Sequence, residues 1–159
     1  MKKIFNIGYW TVFTFYLLLI FNIVFFARDS MRSVNLVPFA MIIEQGFNVN
    51  VWGNVLMFIP LGIYFTNSMK QYRFRTILTS IIGSSLAIEV IQFAFKRGAS
   101  DIDDVLLNTI GGLLGVLIYH MLRALLTSKE RVNIAISTLS LIVGLPVMFL
   151  TITLFLYNF

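Results

Sequence analysis

Cysteine is absent from the 159 residues, which excludes a disulfide framework, a thiolate nucleophile and any cysteine-based metal site. Charge is almost as scarce. Asp, Glu, Lys and Arg together make up 12% of the chain, about half the share usual in a soluble domain. The single histidine, His120, has neither a second histidine nor a carboxylate near it in sequence. No paired-histidine metal motif, phosphate-binding glycine loop or nucleophile elbow is found. The net charge of +5 forms no Lys/Arg stripe and has no aromatic stacking platform beside it, so nucleic acid is not an expected partner. An internal repeat is also missing, which counts against an inverted-repeat transporter.

What is abundant is apolar. Hydrophobic residues are 58% of the chain, sixteen of them Phe, and the mean hydropathy is +0.89. Such a composition suits side chains that face lipid all round a helix. A helix needs about 20 apolar residues to cross the hydrocarbon core. Five windows reach that length, at about 4–27, 51–69, 76–95, 104–125 and 132–157. Met1-Lys2-Lys3 before the first run resembles a signal peptide, but the run is longer than an h-region and no small-residue cleavage site follows, so it is expected to stay as a first span.

Basic residues set the expected orientation, because short basic loops stay cytoplasmic. Lys2, Lys3, Lys70, Arg73, Arg75, Arg123, Lys129 and Arg131 collect on one side, eight of the twelve. The expected fold is therefore an all-α polytopic membrane helix bundle of about five transmembrane helices, a single domain over 1–159, with the N-terminus inside and the C-terminus outside. The long connection 28–50 then lies outside. Its Asn35-Leu36-Val37-Pro38-Phe39 and Ala40-Met41-Ile42-Ile43 are too apolar for a free linker and too short to span, which predicts an interfacial or re-entrant segment.

The polar residues gather at the outward ends of the central spans. Glu89 is the strongest single signal, because an ionisable group inside a bilayer is expensive and is by default functional or tightly paired. Helical spacing puts Glu89, Gln92 and Lys96 on one face, with Lys96, Arg97 or a partner helix available to neutralise the carboxylate. Asp101, Asp103 and Asp104 follow. Ser100 or Asp101 can cap the fourth span, and acids there also meet the positive end of the helix dipole, yet three Asp in four residues exceed a cap. Asp104, Asn108, Gly111 and Gly115 share one face, and the two glycines have the spacing that lets another helix backbone approach. In the second span Asn54, Phe58 and Gly62 recur every four residues, and Pro60 introduces a kink by freeing a carbonyl. Asn54 should find a polar partner, with Glu89, Asp104 and Asn108 as candidates.

At these residues the sequence resembles the VanZ-like family of bacterial membrane proteins. The resemblance rests on Asn35-Leu36-Val37-Pro38-Phe39, on the stretch from Asn54 through Pro60 to Gly62, and on Glu89-Val90-Ile91-Gln92-Phe93 leading through Arg97 and Asp101-Ile102-Asp103-Asp104 to Asn108-Thr109-Ile110-Gly111-Gly112. It covers about 35–118. The family takes its name from a protein associated with low-level resistance to teicoplanin, a glycopeptide antibiotic that acts on peptidoglycan precursors outside the membrane. The resemblance implies a bacterial plasma-membrane, envelope-related context and no settled catalytic mechanism.

Three readings stand open. The first is a membrane protein that modulates the envelope or glycopeptide susceptibility by recognising a lipid-linked or cell-wall headgroup. Its pocket would be bounded by Asn54, Glu89, Gln92, Arg97, Asp101, Asp103, Asp104 and Asn108, with Arg97 available to phosphate. The second is an enzyme acting on a lipid phosphate or lipid-linked substrate through a divalent cation on Glu89, Asp101, Asp103 and Asp104. No cofactor is otherwise expected, and the missing nucleophile puts catalysis behind binding. The third is an accessory subunit whose polar groups only join helices. The lipid bilayer is a partner in all three, and oligomeric state is not readable.

Overall fold

The computed structural model describes residues 2–26, 34–69, 73–95 and 100–157, and among these the chain is almost entirely helical. In order come α1 (Lys2–Phe26), β1 (Val34–Asn35), α2 (Ala40–Gln45), α3 (Val49–Ser68), α4 (Phe74–Ala94), β2 (Ser100–Asp101), α5 (Ile102–Leu126) and α6 (Lys129–Tyr157). Helix is what an apolar environment permits, since each turn satisfies its own amides and carbonyls without water. Four helices are long and apolar enough to cross a membrane: α3, α4, α5 and α6 over Lys129–Thr153. The first of the five expected spans is α1, whose described apolar stretch is the shorter Ile7–Ile20. Helices α3 to α6 begin two or three residues ahead of the hydropathy windows, because their first turns carry polar residues such as Asn50, Arg75, Asp103 and Lys129 that windows discard.

The chain divides into two compact units, one comprising Met1–Asn22 with Arg123–Phe159 and the other Ile23–Leu122. In the first, α1 and α6 meet at small residues. A methyl group on Gly8 would come within 2.9 Å of a Leu141 side-chain carbon, and one on Gly144 would strike the side chain of Val12. Only 6% of the apolar window of α6 is buried, and Ile142, Val143 and Phe149 are widely exposed.

The second unit is built differently. Helices α3 and α5 touch backbone to backbone. A methyl on Gly62 would strike the carbonyl oxygen of Gly112, one on Gly111 that of Val55, and one on Gly115 that of Ile59. Gly112 itself leaves room for Ile81 of α4, whose methyl would lie 2.5 Å from any added Cβ. The expected small-residue ridge is thus present, extended by Gly112, and it lets three helices close on one another as membrane helices without an internal hydrophobic drive must. Around this contact Phe58, Leu61, Ile77, Ile81 and Val116 form one buried cluster. A second, Val51, Val55 and Leu107, lies under Met41 and Ile42 of α2. Pro60 lies within α3 and its ring is exposed.

The connection before α3 is ordered by local chemistry. β1 and β2 pair in parallel, Val34 with Ser100 and Asn35 with Asp101. Phe39 then turns the chain with φ of 65°, a left-handed conformation that costs a bulky residue about 1–3 kcal/mol unless its surroundings impose it. After α2 and Gly46, the side chain of Asn48 accepts from the Val51 amide at 3.0 Å and caps α3.

Candidate functional site

Three helix ends bring the polar residues together. The amino-terminal turns of α3 and α5 and the carboxy-terminal turns of α4 present Asn54, Glu89, Gln92, Asp103, Asp104 and Asn108, all buried. Asp103 and Asp104 are each only 1% exposed, an environment in which every lone pair needs a donor.

The hydrogen bonds divide these groups into layers. Glu89 Oε2 accepts from the Ser100 hydroxyl and from the Asp101 amide, both at 3.1 Å. Asp101 in turn accepts from the Asn35 side chain at 3.2 Å and, through its other oxygen, from the Asp103 amide at 2.9 Å. The second of these bonds is the expected N-cap of α5. Asp103 turns its own carboxylate to the start of α2, where one oxygen accepts from the Phe39 amide at 2.5 Å and the other from the Met41 amide at 2.8 Å. An acid of α5 therefore caps a neighbouring short helix and fixes the left-handed turn at Phe39. One layer further along the spans, the Asn54 amide donates to Asp104 Oδ1, which selects Asp104 from the three candidate partners. One turn beyond Asp104 on α5, Asn108 donates to the Ser85 hydroxyl of α4 at 2.9 Å. Its Oδ1 is buried with no hydrogen-bond partner among the described residues. Gln92 is buried at the carboxy-terminal end of α4, 1% exposed. Arg97 and Lys96 lie outside the described residues.

This arrangement has two chemical consequences. Asp101 and Asp103 each have both oxygens committed to donors from the protein, so their charge is spent on holding β1, α2 and α5 in register. The four carboxylates named as an ion set do not converge: no group of three or more His, Asp or Glu side chains is placed to hold a metal ion among the described residues. An open, largely apolar groove of about 570 Å³ lies elsewhere, lined by α1 and Met148 of α6, and contains none of the polar candidates.

Several participants carry no warning in the sequence. Ser85 is one serine among several in an apolar span, and the position of Ser100 before α5 suggests only a cap. Asn35 and Phe39 belong to the motif that carries the family resemblance, and their distant partners are Asp101 and Asp103 of the acidic motif.

Fold and site define a polytopic all-α membrane protein with a buried polar cluster at one end of three close-packed spans. The profile of the VanZ/LLP1 family matches residues 13–123. The chain is also 35% identical over 124 residues to Protein VanZ of Enterococcus faecium, a match covering 77% of this chain and 75% of that relative. The chain belongs to the VanZ family. No solved structure matches it.

Proposed function

We propose that the protein works in the bacterial cell membrane as an envelope-modulating binding protein, recognising the headgroup of a lipid-linked or cell-wall molecule and so altering susceptibility to glycopeptides such as teicoplanin. The single observation that carries this reading is the Asn54–Asp104, Glu89 and Asn108 cluster. It places buried polar groups at one end of the spans, with one acceptor, Asn108 Oδ1, that the described protein does not satisfy. Leaving such an atom without a donor costs about 1–3 kcal/mol, and a hydroxyl or amide of a headgroup supplies one. On the orientation expected from the basic-loop count, with the N-terminus inside, this end of the spans would face outward, where peptidoglycan precursors are exposed. Arg97, four residues before Asp101 in sequence, would contribute a guanidinium for phosphate.

The test is binding of a lipid-linked peptidoglycan precursor, and separately of teicoplanin, to protein reconstituted in nanodiscs. Asn108→Leu keeps the side chain's size and removes the acceptor, and Glu89→Gln removes the charge. The reading expects measurable binding by the natural protein and a loss of about tenfold or more in either variant, equivalent to about 1.4 kcal/mol. Absence of binding by the natural protein, or equal binding by all three, ends it. An accessory, helix-joining role is the second reading, favoured by the complete commitment of Asp101 and Asp103 to protein donors. Its mark is Asp101 and Asp103 variants that lose fold and phenotype together.

A further inference from the structure

We infer that residues 36–52 form a lipid-embedded interfacial element, with Asp103 as the residue that positions it, so that the partner of this surface is the bilayer and not water, a second copy or another protein. The inference is independent of the headgroup reading.

Two observations carry it. First, the segment turns its large apolar side chains outward. Leu36, Val37, Phe39, Ile43, Phe47 and Trp52 are all more than half exposed, Ile43 at 79% and Phe47 at 70%, while Met41 and Ile42 face the inner cluster of Val51, Val55 and Leu107. This exposed band is continuous with the outer surface of α3, where Trp52 leads to Leu56, itself 60% exposed on a helix long enough to span. The ring of Phe47 lies 6.1 Å from that of Trp52, joining the loop to the span in one apolar face.

Second, the backbone is supplied with partners from within the protein, also where the segment leaves helix, at residues 36–39 and 46–48. The amide of Val37 donates to the Asn35 side chain, those of Phe39 and Met41 to Asp103, and that of Ala40 to the Val37 carbonyl. Gly46 donates to Ile42, Asn48 to Gly46, and Val51 to the Asn48 side chain. A loop in water has no need of a distant buried carboxylate to satisfy its amides. A loop in lipid does, because irregular backbone at membrane depth is tolerated only where protein groups replace water. Glu44 and Gln45 are exposed at the end of α2, which sets the depth at the headgroup boundary, where an apolar side chain dips into acyl chains and a charged one reaches water.

The natural absence of cysteine permits a clean test. Single-cysteine variants at Ile43 and Phe47 carry a nitroxide label in vesicles of phosphatidylethanolamine and phosphatidylglycerol in equal amounts. Collision with oxygen reports lipid and collision with a water-soluble nickel chelate reports water. Leu139→Cys on the exposed face of α6 and Lys129→Cys at its start give the lipid and water references. The labels at Ile43 and Phe47 are expected to follow Leu139, oxygen-accessible and nickel-protected. Adding Asp103→Ala is expected to move the Ile43 label to the Lys129 value, while the Leu139 label in the same background stays unchanged and shows that the spans remain inserted. Nickel access at both positions in the natural background overturns the inference in favour of a water-exposed loop. Protection from both reagents overturns it in favour of a second copy or another protein covering the face. An Ile43 label indifferent to Asp103→Ala removes the positioning role.

Discussion

The two compact units of this protein solve the same problem, a helix in lipid, in opposite ways. Helix α6 turns mostly apolar side chains outward, 6% of its apolar window buried, and its close contacts with α1, at Gly8 and Gly144, fall on side chains. Helices α3, α4 and α5 instead bury glycine against backbone and amide against carboxylate. The difference shows where specificity resides. Hydropathy alone is enough to keep a helix in a bilayer, but lipid tails are as apolar as leucine, so only close approach and polar pairing tell one helix which neighbour to adopt.

The largest expected effect attacks that close approach. Gly62→Ala with Gly111→Ala places two methyl groups on the carbonyls of Gly112 and Val55, which no rotamer change relieves, so α3 and α5 must separate. Overpacking commonly costs about 1–3 kcal/mol, and with backbone on the receiving side the double variant is expected at about 3 kcal/mol or more. Gly8→Ala in the other unit meets only the flexible end of Leu141 at 2.9 Å and should cost under about 1 kcal/mol. Unfolding of both variants in mixed micelles checks the pair, and equal losses would erase the distinction between the units.

Next comes the polar pairing. Asn54→Leu preserves size but takes away the donor that faces Asp104, a carboxylate 1% exposed. Removing one partner of a buried hydrogen bond costs about 1–3 kcal/mol, more where the remaining group is charged, so about 2 kcal/mol is expected in the same unfolding assay. Ser85→Ala is milder. It deprives the Asn108 amide of its acceptor, a neutral pair, and about 1 kcal/mol is expected.

These two positions also mark the boundary of what the sequence makes readable. Asn54 was recognisable because an amide in hydrocarbon must have a partner, and a spacing of four put Asn54, Phe58 and Gly62 on one face and Asp104, Asn108, Gly111 and Gly115 on another. Periodicity on a single helix is a local property, and both faces are buried as expected. Ser85 could not be found that way, since a serine can satisfy itself on its own helix carbonyl, as Thr66 does on Gly62. The destination of Asp103 was hidden for a different reason. Its partners Phe39 and Met41 are backbone amides more than sixty residues away, and backbone donors leave no trace in side-chain identity. The long apolar runs made the spans plain, whereas the two-residue pairing of β1 with β2 is too short for any pattern to announce.

The smallest expected effect is the one that tests the comparison from its other side. Ile142 lies in α6 at 63% exposure, so Ile142→Val removes one methylene from a surface that loses little packing when it shrinks. A core Ile→Val change costs about 0.5–1.5 kcal/mol because a cavity remains behind, but lipid chains rearrange to fill the space, and an exposed substitution of this kind is expected within about 0.5 kcal/mol of the natural protein. Ile81→Val, on the fully buried face of α4 against Gly112, supplies the matched control at the core value. If Ile142→Val proves as costly as Ile81→Val, then α6 is packed against protein in the membrane, and the contrast between a lipid-specified helix and a contact-specified bundle does not hold.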